Sequence, residues 1–101
     1  MIEKLESIAA KFRELERELS TPEIFNDQEN YKKVAKKHAD LGAVVKEYSA
    51  YKKALEELEE NRELAKDTDP EICELAQAEI STLKERLAEH EYQLKYLLTP
   101  K

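Results

Sequence analysis

Apolar residues fall into three stretches, separated by the prolines at positions 22, 70 and 100. In the first, Leu5, Ile8, Phe12, Leu15 and Leu19 recur at steps of 3, 4, 3 and 4, with Ile2 and Ala9 beside them. That spacing lays one apolar stripe along an α-helix, with a mean period of roughly 3.5 residues, at which side chains of neighbouring helices interlock. The stripe stops at Ser20-Thr21-Pro22, because the residue before a proline is pushed out of the α region. Pro22 to Phe25 then reads as a short helical turn or a loop. Asn26 or Asp27 offers a side-chain acceptor to cap the next helix.

From Tyr31 the seam resumes through Val34, His38, Leu41, Val45 and Tyr48, lapses at Lys52, and continues through Leu55, Leu58, Arg62 and Ala65. Unbroken, a helix of about 38 residues rises about 57 Å. Gly42 lies inside it and costs about 1 kcal/mol relative to alanine, so either the helix bends there or another backbone passes close. The third helix opens at Thr68-Asp69-Pro70-Glu71. Either Asp69 caps it with Pro70 in the first turn, or Thr68 and Glu71 form a reciprocal capping pair. Its stripe is Ile72, Ala76, Ile80, Leu83, Leu87, His90, Leu94 and Leu97, ending at Leu98-Thr99-Pro100. The short link between the second and third helices sets them antiparallel. The expected fold is all-α: an elongated, antiparallel, coiled-coil-like helical hairpin with an N-terminal helix packed along it, a three-helix bundle occupying residues 1–101 as one domain.

Composition supports this. Ala, Glu, Lys, Leu and Arg make up 60 of the 101 residues, above the roughly 50% that marks long helices. One glycine and three prolines leave little turn chemistry for a sandwich, barrel or wound sheet. Seventeen Lys and Arg against 23 Asp and Glu give a formal charge of −6, which disfavours a grip on nucleic acid by the whole domain. One cysteine cannot form an internal disulfide and suits a reducing compartment. The first residues carry acids and no apolar run of signal-peptide length. No stretch approaches the roughly 18 apolar residues of a membrane span. A soluble, cytoplasmic chain with no membrane partner is expected.

Catalysis needs a nucleophile, a base and a group that orients the base. His38 and His90 both fall on apolar stripes, where boundary packing is the expected role. Cys73 adjoins Ile72 near a helix start, with Glu71 and Glu74 opposing a thiolate. These three residues lack the close spacing of a metal site. No catalytic, cofactor-binding or metal-binding residue is expected, and the chain does not read as an enzyme. The five tyrosines lack the Arg-rich surroundings of a base-stacking platform, so most are expected to pack at the seam edge with the hydroxyl in water.

Charge is segregated along the chain. Residues 32–53 hold seven lysines against Asp40 and Glu47, and residues 56–74 hold nine acids against Arg62 and Lys66. Lys32, Lys33, Lys36 and Lys37 fall off the seam and form two adjacent exposed rows. A solvated helix face is the ordinary reading of such a run. The sharper one is a patch that meets RNA through phosphate contacts, which need no base reading. Pairs such as Glu29 with Lys33 and Glu91 with Lys95 would each stabilise a helix by only ~0.2–0.5 kcal/mol.

The order of particular stretches is more specific than their periodicity. Thr21-Pro22-Glu23-Ile24-Phe25-Asn26-Asp27-Gln28-Glu29, Val44-Val45-Lys46-Glu47-Tyr48, Asp69-Pro70-Glu71-Ile72 with Ala76 and Glu79, and the ending Leu97-Leu98-Thr99-Pro100-Lys101 occur together at these spacings. In this the chain resembles, over essentially its whole length, the N-terminal domain of the bacterial class I peptide chain release factors, in the branch that acts at UAG and UAA. The usual ending of that branch has a third Leu where Thr99 stands. The resemblance implies the first part of a longer protein whose codon-reading tripeptide and Gly-Gly-Gln release loop lie farther on, so no catalytic residue carries over. It also implies a ribosomal partner, namely the stalk-base protein of the large subunit and the adjacent rRNA, with Lys32, Lys33, Lys36 and Lys37 as a candidate contact patch. An isolated chain with an exposed seam could self-associate. Two other readings fit parts of the pattern. A dimerising coiled-coil adaptor matches composition and seam equally well, and an RNA-binding helical arm of the kind that precedes some tRNA synthetases is disfavoured by the acidic balance.

Overall fold

The computed structural model describes residues 1–100; Lys101, the last residue of the ending noted above, lies outside the described residues. The fold is all-α, with α1 at Ile2–Leu19, a 3₁₀ turn at Pro22–Asn26, α2 at Gln28–Leu64 and α3 at Pro70–Leu98. The chain forms two compact units, residues 1–46 and 47–101, and α2 contributes to both.

In the first unit α1 ends where expected. Ser20 Oγ and Thr21 Oγ1 donate to the carbonyls of Glu16 and Arg17, satisfying acceptors that the end of a helix leaves open. Pro22 then starts the 3₁₀ turn, and Asp27 closes it as the cap of α2, its Oδ1 accepting from the Asn30 backbone N–H at 3.1 Å. Ile24 is buried against Leu15 and Val34, with Leu19 and Leu41 packed around them. Leu5, Ala9 and Val44 are also buried, whereas Ile2 is exposed.

Gly42 neither interrupts α2 nor meets a foreign backbone. A Cβ built there would sit 3.8 Å from the Phe12 ring, an ordinary contact with a side chain. Gly42→Ala is therefore expected to raise stability by about 0.5–1 kcal/mol, the usual helix-interior difference, seen as a higher urea midpoint at unchanged slope.

In the second unit, α2 and α3 run antiparallel. Glu47 faces His90, Tyr51 faces Glu91 and Ala65 faces Cys73. The turn between them is held by Asp67 Oδ1, which accepts from the Asp69 N–H at 2.8 Å. Asp69 in turn caps α3 through the Glu71 N–H at 2.9 Å, with Pro70 opening the helix. Of the two start signals in the sequence, the Asp-Pro pair is the one used. Ala76, Leu83, Leu87 and Leu94 are buried on the expected stripe of α3, Leu83 and Leu94 completely, while Ile72 is exposed.

The seam drawn along α2 needs correction. Val44 is buried and Val45 only half-buried. The supposed lapse at Lys52 disappears, because Tyr51 and Ala54 carry the buried face between Tyr48 and Leu58. Tyr31 and Arg62 are exposed, and Arg62 pairs with Glu59 at 2.8 Å. From Leu41 through Val44, Tyr48, Tyr51 and Leu55 to Leu58 the buried and half-buried positions keep steps of 3 and 4. One seven-residue seam therefore does run along α2, with Val44 and Tyr51 in place of Val45 and Lys52.

Candidate functional site

Lys32, Lys33, Lys36 and Lys37 occupy the second and third turns of α2. Their orientation follows from what lies inward on the same turns. Val34 is buried, and His38 and Leu41 are half-buried, so at 3.6 residues per turn the lysines are turned outward in two rows. All four are exposed. Lys36 Nζ lies 3.1 Å from Asp40 Oδ2, a pair exposed on both sides that contributes little to stability. Among the described residues no ion pair engages Lys32, Lys33 or Lys37, nor does the expected Glu29–Lys33 or Glu91–Lys95 pair form. Glu91 is instead engaged by Tyr51.

The two histidines sit at core edges, each beside a carboxylate. The His38 ring stacks on Phe12 at 4.2 Å between centroids, with Nε2 3.4 Å from Glu16 Oε1. His90 Nδ1 donates to Glu47 Oε1. The Tyr51 hydroxyl donates to Glu91 Oε1 at 3.1 Å. Burial raises the Tyr51 phenol above its ordinary pKa, and the bond to Glu91 and the nearby negative charge raise it further. Cys73 Sγ donates to the Ala65 carbonyl at 3.2 Å. None of these groups converges on another to make a nucleophile, a base and an orienting group. Among the described residues no cluster of His, Cys, Asp and Glu could hold a metal ion, and no helix is long and apolar enough to cross a membrane.

One feature beside the lysines was not visible in the sequence. Phe25 is 64% exposed and packs against Tyr31, which is 37% exposed, with ring centroids 5.3 Å apart and planes inclined at 33°. The sequence pattern places Tyr31 on the seam, and Phe25 belongs to no stripe. Only the 3₁₀ geometry of Pro22–Asn26, which turns Ile24 inward, puts its neighbour on the surface.

The PCRF domain family matches residues 8–101. The chain is 52% identical to peptide chain release factor 1 of Solidesulfovibrio magneticus and 50% identical to that of Maridesulfovibrio salexigens, each over 101 residues. It is 46% identical to peptide chain release factor 1 of Finegoldia magna over 102 residues. Each alignment takes in 100% of this chain but only 28%, 28% and 29% of the respective relative. No solved structure matches the chain.

Proposed function

The chain belongs to the PCRF-domain family, to which its release-factor relatives point, and from that membership we propose that it serves translation termination as the N-terminal helical domain of a release factor acting at UAG and UAA. In this reading the domain performs no chemistry. It contacts the base of the large-subunit stalk, through both the protein and the rRNA there, while peptide release and codon reading belong to parts of the factor beyond it. The observation that carries the proposal is the alignment of the entire chain with just over a quarter of each relative at up to 52% identity. A cytoplasmic setting follows from the same role.

Lys32, Lys33 and Lys37, exposed and unpaired, and Lys36, tied only to an exposed Asp40, supply the contact to rRNA phosphates. Such contacts are strongly salt-dependent, because each phosphate neutralised releases condensed counterions. Reversing all four charges to Glu in the full-length factor is expected to weaken its binding to ribosomes several-fold at low salt and to flatten the salt dependence. Equal affinity of variant and wild type at both low and high salt would remove these lysines from the contact. A wild-type full-length factor that failed to release peptide at UAG or UAA would remove the function itself.

A further inference from the structure

We propose that Phe25 and Tyr31, with Lys32 at their edge, form a stacking platform for an unpaired nucleotide of RNA. Phe25, Gln28, Tyr31 and Lys32 line an open groove of about 380 Å³. Its walls are two aromatic rings, the amide of Gln28 and the stem and ammonium of Lys32. A planar ligand with a polar edge and a negative charge matches the ring faces, the amide and the cation together. The π-face of a base lies on Phe25, Gln28 can bond its edge, and Lys32 reaches the phosphate, with Lys33 and Lys36 farther along the same helix. Aromatic side chains flanked by cations bind single-stranded nucleic acid in this way, with little regard to sequence, and bases that are free to splay out are the usual targets in RNA.

A cation stands at the groove itself despite the acidic total: Lys32 lines it, whereas Glu23, Asp27 and Glu29 do not. The platform is also held in place. Ile24, next to Phe25, is anchored in the core with Leu15 and Val34, and the Asp27 cap fixes the start of the helix that carries Tyr31. The proposal rests on the release-factor reading only in taking ribosomal RNA as the source of the nucleotide.

The test compares two fluorescently labelled probes, a single-stranded oligoribonucleotide and an abasic ribose-phosphate oligomer of equal length, each titrated with this chain at low salt. The expected result is that the base-bearing oligomer binds about fivefold tighter or better, the scale of one stacked base. Phe25→Leu should bring that preference below about twofold, and Phe25→Trp should keep it. Because Phe25 is exposed, both variants should retain wild-type helicity by circular dichroism, and the Trp variant gives an independent reading if the Leu variant does not. Equal affinity of the wild type for the two oligomers, or no binding of either, overturns the proposal. So does full preference in Phe25→Leu, which would show that the base stacks elsewhere than on Phe25. None of these outcomes depends on ribosome affinity, so the platform and the release-factor role can fail separately.

Discussion

Replacing Leu83 by alanine is expected to lower the unfolding free energy by about 2–5 kcal/mol. Leu83 has no exposed surface, and it lies midway along α3 on the stripe that also buries Ala76, Leu87 and Leu94. Truncation loses the transfer free energy of the deleted carbons and leaves a cavity that rigid helices collapse only in part. A chain of this size has an unfolding free energy of about 5–15 kcal/mol in total, so this one change could unfold a large fraction of molecules at moderate temperature. The control is Leu75→Ala on the same helix. Leu75 is 72% exposed, and its truncation should change stability by less than about 0.5 kcal/mol. Urea denaturation followed by helical circular dichroism separates the two. Equal effects would mean that α3 does not pack through the face described.

That contrast was readable in the sequence, and it marks how far the pattern reaches. The stripes of α1 and α3 follow one period because each of these helices buries a single face. The helix boundaries are readable because Pro22 and Pro70 act through local backbone chemistry that needs no tertiary partner. The pattern leaves Asn26 or Asp27, and Asp69 or Thr68, open as caps until Asp27 and Asp69 are seen to accept the backbone N–H groups. Along α2 the period held, but the choice between adjacent residues did not. Val44, Tyr51 and Ala54 are buried where the seam had placed Val45 and a lapse at Lys52. Val44 and Val45 are equally apolar, and tyrosine fits a core or an edge, so periodicity alone does not choose between neighbours one residue apart.

The candidate site divides in the same way. That Lys32, Lys33, Lys36 and Lys37 would be exposed followed from their positions off the stripe. Phe25 beside them could not be assigned, because it lies in a 3₁₀ turn where neither the helical nor the strand period applies. At Gly42 the pattern allows a bend or a closely passing backbone, and neither is found: α2 continues through it, and a Cβ there would meet only the Phe12 ring at 3.8 Å.

The Tyr51–Glu91 bond should make the protein sensitive to alkali in a way that Tyr51→Phe removes. Tyr51 is buried, and its hydroxyl donates to Glu91 Oε1. Burial foremost, then the bond to Glu91 and its charge, raise the phenol above the ordinary 10.0. In the unfolded chain the phenol therefore loses its proton first. Once pH rises past 10, the folded state holds more protons than the unfolded one, and stability falls with increasing pH. The contribution is complete below pH 10 and is lost as pH climbs through the folded-state value. Tyr51→Phe should cost about 1–2 kcal/mol at pH 7, because it removes a hydrogen bond to a charged acceptor and leaves Glu91 half-buried without its donor. Above pH 10 the gap should narrow, since the wild type must then either ionise a buried phenol beside a carboxylate or unfold. Urea midpoints of both proteins measured from pH 7 to 11 test this: parallel curves would show that Tyr51 ionises equally easily in the folded and unfolded chain, and that the bond to Glu91 does not form in solution.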